Sequence, residues 1–161
     1  MKKRAAPTRW HKLDNTANIF PVVASRRYSN VFRLTAVMRE AVDPALLQQA
    51  LEQTLPYFAA FNVRLRHGLF WNYLETNRAT PQVLPGQAAP CRYIDPVETG
   101  RFLFRVLYYG SRVHLETFHV LTDGTGAMQF LKAVCYRYCQ LAHPDAFTPE
   151  QLATPYGTET A

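Results

Sequence analysis

Cysteine is scarce in this sequence of 161 residues, which contains only Cys91, Cys135 and Cys139. Three cysteines cannot form an even set of disulfide bonds, and a chain of this length can bury a core without them. The composition argues against a disulfide-rich secreted domain and favours a reducing, cytoplasmic location.

Long hydrophobic runs are also missing. No stretch approaches the roughly 18 consecutive apolar residues of a membrane-spanning helix. Even the aromatic-rich segment 102–109 is interrupted by Arg105 and followed by Gly110. Residues 2–4 carry the positive charge that begins a signal peptide, but no apolar run follows them. We therefore expect neither a membrane segment nor a secretion signal.

Acidic residues are outnumbered by basic ones, and the formal charge is +6. The basic residues are scattered over segments 26–27, 64–66, 101–105 and 132–137 instead of forming one cluster. An RNA-binding α+β domain would need arginines and aromatic rings converging on one sheet face, so we do not expect nucleic acid as the partner. A basic surface of this kind would attract an anionic small molecule, such as a phosphorylated cofactor.

The apolar content of 48% is typical of a globular protein. Residues 30–42 contain a run of strand-forming residues. Asp43 and Pro44 then form a helix start, because the carboxylate can accept a free backbone N–H and proline favours the first helical turn. Apolar residues follow at helical spacing, and Pro56 should end the helix. These apolar residues are Leu46, Leu47, Ala50, Leu51 and Leu55.

Two β-hairpins are predicted beyond this helix. Residues 61–67 alternate apolar and polar side chains, and residues 69–76 continue as a second strand after Gly68. Residues 102–109 and 112–119 form the other pair, joined by a Gly-Ser turn. The proline-rich segment 81–96 between the hairpins reads as a surface loop with a short strand at 91–94.

A second long helix is predicted over residues 125–141, with a cap at Asp123 or Thr125 and an end at His143 and Pro144. Its predicted inner face carries Met128, Leu131, Val134, Cys135 and Tyr138. The order of elements favours an α+β fold, a mostly antiparallel mixed sheet with two main helices on one face. We expect residues 1–9 to be flexible, residues 10–143 to form the folded unit, and residues 144–161 to be a tail or linker.

The turn between the last strand and the last helix contains the best candidate for chemistry. His119 ends the predicted strand, and Asp123 and Gly124 turn the chain into the helix. Histidine titrates near neutral pH, so an imidazole at a strand end can act as a general base. Asp123 would hold the turn rigid, and Gly124 would allow a backbone conformation closed to other residues. The spacing alone also fits, and by itself favours, a core histidine followed by an ordinary Asp-Gly turn.

The pattern His119-x-x-x-Asp123-Gly124 between a strand and a helix resembles the active-site motif of the chloramphenicol acetyltransferase-like superfamily. That superfamily includes plant BAHD acyltransferases, peptide-synthetase condensation domains and polyketide-associated acyltransferases. Segments 13–21, 31–34, 56–66, 68–71 and 103–108 are similar to bacterial proteins named alcohol acetyltransferases. The resemblance spans about residues 10–141.

The resemblance implies an acyl-CoA-dependent alcohol O-acyltransferase with His119 as the general base. Acetyl-CoA or another acyl-CoA would be the donor, a small alcohol would be the acceptor, and no metal or covalent enzyme intermediate would be needed. Asp123 and Gly124 would be structural residues of the motif. Many relatives have a second histidine before the first motif position, where this sequence has Phe118. The single histidine of the BAHD enzymes shows that this difference need not abolish activity.

The resemblance also implies a fold of two stacked halves with the acyl-donor tunnel between them. The sequence corresponds to the N-terminal half, so we expect it to pair with a C-terminal half or with itself and to be weakly active or inactive alone. The alternative is a non-catalytic half-fold that serves as a binding or assembly module. An exposed apolar surface would accompany either arrangement.

Three further groups of residues could carry a function. Cys135, Cys139 and His143 share helical spacing, but the face is otherwise apolar and no fourth metal ligand is evident, so we expect no metal site. His114 and Glu116 lie on the opposite face of the predicted strand from His119, and we interpret them as solvent-side or supporting groups. Hairpin aromatics could line an acceptor pocket but more often form core: Phe70, Trp71, Tyr73, Phe102, Phe104, Tyr108 and Tyr109.

Overall fold

A computed structural model describes residues 10–12, 30–67, 72–86 and 89–154. Seven strands and three α-helices occur within these ranges. The strands are β1 Trp10–Lys12, β2 Val31–Val37, β3 Val63–His67, β4 Asn72–Thr76, β5 Val83–Pro85, β6 Phe104–Tyr109 and β7 Arg112–Phe118. The helices are α1 Pro44–Thr54, α2 Gly124–Ala142 and α3 Pro149–Ala153.

The larger sheet has four strands in the order β2-β7-β6-β5. All neighbours are antiparallel except β5, which runs parallel to β6. Side chains alternate across the sheet, so Val106 of β6 and Leu115 of β7 lie opposite each other on the same face. That face packs against α1 and α2 in one hydrophobic core. The α+β class and the two main helices on one face are therefore confirmed.

Helix α1 begins as the sequence predicts. The Asp43 carboxylate accepts hydrogen bonds from the backbone N–H groups of Ala45 and Leu46, and Pro44 is the first helical residue. Leu47 and Leu51 are fully buried against the sheet. The helix ends at Thr54, where the chain continues into a short 3₁₀ turn that contains Pro56.

Helix α2 has a different inner face from the predicted one. Met128 is 41% exposed, whereas Phe130, which the prediction omitted, is fully buried. The Phe130 ring stacks on the Phe61 ring with centroids 4.1 Å apart and lies 5.3 Å from the Phe104 ring. The buried stripe runs through residues 127, 130, 131, 134 and 138, so Met128 falls one position outside it.

The first predicted hairpin, β3 and β4, belongs to a separate three-stranded sheet in the order β1-β4-β3. Leu65 and Leu74 of this sheet pack against a small cluster formed by Ile94, Phe118 and Val120. The hairpin is confirmed, but its sheet does not continue the larger one. The second hairpin, β6 and β7, is confirmed with a turn at Gly110, whose φ of 55° suits glycine.

The short strand predicted at residues 91–94 is wrong, and a short strand occurs at residues 83–85 instead. The backbone of segment 91–93 bonds to side chains rather than to a neighbouring strand. Cys91 donates its N–H to the Glu116 carboxylate, and the carbonyls of Arg92 and Tyr93 accept from the Arg105 guanidinium. These bonds replace the ladder that a strand would need.

The segment after α2 docks on that helix. Helix α3 has a capping box in which Thr148 and Gln151 bond to each other's backbone N–H groups. Gln140, which is buried, donates to the Gln151 carbonyl, and Arg137 donates to the Leu152 carbonyl. The division into residues 1–9, 10–143 and 144–161 stays a prediction, and residues 1–9 and 155–161 lie outside the described residues.

Candidate active site

The candidate motif lies at the end of β7, one of the two inner strands of the larger sheet. Strand β7 ends at Phe118, the Leu121 N–H closes a turn onto the Phe118 carbonyl at 2.8 Å, and α2 begins at Gly124. The His119 backbone N–H donates to the Asn30 carbonyl at 2.9 Å. Asn30 has a left-handed φ of 48°, a conformation that asparagine adopts more readily than most residues.

The side chain of His119 is exposed. Its ring contacts the ring of Phe32 in β2, with centroids 4.5 Å apart and planes inclined at 43°. The alternative of a histidine sealed in the core is therefore wrong. The imidazole is supported on one side by an aromatic ring and is accessible from solvent.

Asp123 is the N-cap of α2. Its carboxylate accepts a hydrogen bond from the Gly126 backbone N–H at 2.9 Å. The carboxylate thus stabilises the start of the helix that follows His119. This geometry agrees with a structural role in the motif turn.

The interpretation of Gly124 is corrected by its surroundings. Gly124 does not have a positive φ, and no atom lies within 4 Å of the position that a Cβ atom would take. It is the first residue of α2 and has ordinary helical geometry. The glycine with a steric requirement is Gly126, because a Cβ atom there would overlap the Thr122 hydroxyl. The close approach of these two residues could not be read from the motif spacing.

Of the two interpretations of Glu116 and His114, as solvent-side or as supporting groups, the solvent-side one is wrong. Both are buried on the sheet face opposite the helices. The Glu116 carboxylate forms ion pairs with Arg33 at 2.6 Å and with Arg105 at 2.5 Å. Burial raises the pKa of Glu116, but the Cys91 N–H and the two guanidinium groups outweigh it and hold the pKa below its usual value.

His114 lies beside this cluster, and its Nδ1 is 2.9 Å from the hydroxyl oxygen of Thr35. Burial lowers its pKa, and the positive charges of Arg33 and Arg112 lower it further, against an opposing contribution from Glu116. A neutral imidazole is therefore favoured here. The alternation of side chains along the strand correctly placed both residues on the face opposite His119. It did not predict that the loop of residues 91–94, the covering loop, lies over that face.

The other candidate groups do not converge on His119. Phe102 and Phe104 are fully buried core residues, which excludes them as walls of an open acceptor pocket, and Phe70 and Trp71 lie outside the described residues. An open cleft of about 610 Å³ lies at the far end of α2, beside Cys139 and His143. Within residues 30–67, 72–86 and 89–154, no three His, Cys, Asp or Glu side chains are placed to hold a metal ion.

Burial raises the pKa of both cysteine thiols of α2, Cys135 and Cys139. It raises the pKa of Cys135 to about 12, with a further contribution from Cys139, so the Cys135 thiol stays protonated at neutral pH.

Within the described ranges, no helix combines the length and apolar character that a membrane crossing needs.

No protein-family model matches the chain, and no curated protein sequence does. Solved structures do match. The starter condensation domain of rhizomide synthetase RzmA, as a single-residue variant, superposes with a TM-score of 0.65 at 15% identity over 88% of this chain and 39% of that one. The same variant in complex with C8-CoA gives a TM-score of 0.64 at 15% identity over 87% of this chain and 37% of that one.

Polyketide synthase associated protein 5 from Mycobacterium tuberculosis is also similar, with a TM-score of 0.58 at 16% identity over 91% of this chain and 36% of that one. The chain thus spans less than two fifths of the length of each of these structures. The likeness at this level of identity concerns the fold. The described residues have an α+β fold that corresponds to one part of the condensation-domain, chloramphenicol acetyltransferase-like architecture.

Proposed function

We propose that this chain is the N-terminal half of an acyl-CoA-dependent alcohol O-acyltransferase in which His119 is the general base. The observation that carries the proposal is the exposed His119 at the turn between β7 and α2, in a fold shared with condensation domains. One of those similar structures was solved with C8-CoA. Acetyl-CoA or another acyl-CoA is the proposed donor.

In the proposed reaction, an imidazole nitrogen of His119 takes the proton of the acceptor hydroxyl as its oxygen attacks the thioester carbonyl carbon. The carbon–sulfur bond of the tetrahedral intermediate then breaks, and the imidazolium returns the proton to the departing sulfur. The products are an ester and free CoA thiol. Base catalysis of this kind contributes about 10²–10⁴-fold. The rest of the acceleration must come from positioning and from donors to the oxyanion.

Those donors and one wall of the donor tunnel are proposed to come from a second half, because the chain spans only part of each similar structure. The large exposed apolar side chains of the described residues lie on several elements, with Met128 on α2, and they do not by themselves mark the apolar surface that the resemblance leads us to expect. We propose that the second half, or a second copy of this chain, packs beside His119. The isolated chain should then be weakly active or inactive.

The test is a transferase assay with acetyl-CoA or octanoyl-CoA and a panel of small alcohols, on the chain alone and mixed with candidate second halves. His119→Ala should abolish activity in the mixture. His143→Ala is the matched control, because His143 is also exposed but caps the opposite end of α2. Loss of activity in both variants, or in neither, would contradict the role of His119. A folded chain that binds a second half but is inert in every mixture would favour the non-catalytic assembly module.

A further inference from the structure

A buried ionic cluster lies behind the motif strand, on the sheet face opposite the helices. Glu116, three residues before His119, is fully buried, and its two carboxylate oxygens face two arginines. Arg33 of β2 donates Nε to one oxygen at 2.7 Å, and Arg105 of β6 donates Nε to the other at 2.6 Å. Cys91 of the covering loop donates its backbone N–H at 2.7 Å to the oxygen that Arg33 contacts.

Such a cluster is an inefficient way to stabilise a fold, because its charges must be removed from water. Removing charges from water costs free energy, and well-packed apolar residues in the same place are often as stabilising or more so. Glu116 and Arg105 are buried and Arg33 is partly buried, and two arginines with one glutamate leave the cluster with a net positive charge. What the cluster can provide better than apolar packing is one defined arrangement of the elements that it joins.

The cluster joins the elements that place His119. Arg33 and Glu116 lie directly opposite each other in the pairing of β2 with β7. Phe32, also in β2, contacts the His119 ring. The carbonyl of Asn30, the residue just before β2, accepts the His119 backbone N–H. A slip of β2 along β7 would therefore remove both contacts of His119 together with the Arg33–Glu116 pair.

The covering loop supports the motif from the other side. The Cys91 N–H bond to Glu116 and the Arg105 bonds to the carbonyls of residues 92 and 93 hold the loop on the sheet. Ile94, the next residue of that loop, packs against Phe118 and Val120, which flank His119 in sequence. Glu116 thus reaches the neighbours of His119 through β2 and through the loop.

We propose that Glu116 is a positioning residue for His119, acting through Arg33 and β2 and through the loop that begins at Cys91. This inference rests on the proposed function for its catalytic consequence, whereas its structural content can be measured on the chain alone. Glu116 does not touch substrate in this proposal. It fixes the register and the loop that hold the imidazole in place.

The experiment compares local and global protection of backbone amides by hydrogen exchange in the full chain. In Glu116→Gln the His119 amide should exchange about 10-fold faster or more relative to core amides such as those of Val106 and Leu115. Arg33→Lys keeps a positive charge but loses the contact of two nitrogens with Glu116. The His119 amide should therefore lose protection in this variant too, but by a smaller factor than in Glu116→Gln. These relative rates remain informative when the overall stability falls.

Arg64→Lys is the matched control. Arg64 contacts Glu75 through Nε and a terminal nitrogen, both at 2.7 Å, in the three-stranded sheet. The same substitution there should leave the His119 amide unchanged. If Arg64→Lys and Arg33→Lys affect that amide equally, the proposal is overturned.

A variant with Arg33→Met, Arg105→Met and Glu116→Leu removes the cluster without leaving an unpaired charge. Overall stability is expected to fall, because the Cys91 N–H and the carbonyls of residues 92 and 93 lose their side-chain partners, and the protection of the His119 amide relative to core amides is expected to be lost as well. Unchanged protection in a folded triple variant would show that the cluster is only structural. In a mixture with the second half, the kcat of Glu116→Gln should be about 10-fold or more below that of the wild type, with little change in KM. An inactive wild-type mixture would count against the proposed function, while the exchange rates would still decide the role of Glu116.

Discussion

The side-chain hydroxyl of Thr122 occupies the space where a Cβ atom on Gly126 would lie. We predict that Gly126→Ala forces Thr122 out of its position in the turn between His119 and α2. Alanine favours a helix over glycine by about 1 kcal/mol, but overpacking costs typically about 1–3 kcal/mol. The net result should be a loss of stability and faster amide exchange across residues 119–123. Urea unfolding and hydrogen exchange measure both.

Gly124→Ala is the control for this prediction, because no atom lies within 4 Å of the added carbon and the φ is not positive. This variant should be as stable as the wild type or more stable by up to about 1 kcal/mol. Equal destabilisation by the two substitutions would show that the contact with Thr122 is not the cause.

Asp123 is predicted to stabilise α2 as a helix cap, and two substitutions separate the loss of its hydrogen-bond acceptor from the loss of its negative charge. Asp123→Ala removes the acceptor of the Gly126 N–H and should cost about 1 kcal/mol, whereas Asp123→Asn keeps an acceptor and should cost much less. Asp43→Ala removes the equivalent cap of α1. Both alanine variants should lower stability, but only Asp123→Ala should loosen the His119 turn. If Asp123→Asn is as damaging as Asp123→Ala, the charge matters beyond capping.

Thr117 is buried, and no described group forms a hydrogen bond with its hydroxyl. Thr117→Val should therefore raise stability by about 1 kcal/mol, since an unsatisfied buried polar group is costly. Thr99→Val is the matched control, because the buried Thr99 hydroxyl donates to the Phe102 carbonyl at 2.8 Å. That substitution should lower stability by about 1–2 kcal/mol. Chemical denaturation of both variants gives the comparison, and a Thr117→Val variant less stable than wild type would contradict the prediction.

His114 should make folding stability depend on pH. Its pKa in the folded protein is lowered from 6.5 by burial and by Arg33 and Arg112. As the pH falls below about 6.5, the unfolded chain binds a proton that the folded His114 resists, so stability should fall. His114→Asn keeps a polar atom near Thr35 and should weaken this decrease. Unfolding free energies across the pH range test it, and an unchanged slope in His114→Asn would exclude His114 as a source.

The elements were predictable where local physics is strong. Asp43 and Pro44 start α1 because a capping carboxylate and a proline act on the residues next to them. The hairpin of β6 and β7 follows from alternating side chains around Gly110. The motif of His119, Asp123 and Gly124 was equally local, so its place between a strand and a helix could be predicted.

Other features depended on residues distant in sequence. Phe130 was missed and Met128 misassigned because the inner face of α2 is decided by contact with Phe61 and Phe104, which lie far along the chain. The strand expected at 91–94 did not form because Glu116 and Arg105 bond its backbone. Pattern alone does not report such competition between side chains and a strand ladder.

The sequence by itself determined the α+β class, the main helices and hairpins, and the position of His119 at the end of a strand, because these depend on interactions between near neighbours. Only the tertiary structure decided that Glu116 and His114 are buried and that Asn30 and Phe32 hold His119. Those features arise where separate elements meet, and the free energy of burying a charge or a ring there depends on partners that no local pattern specifies.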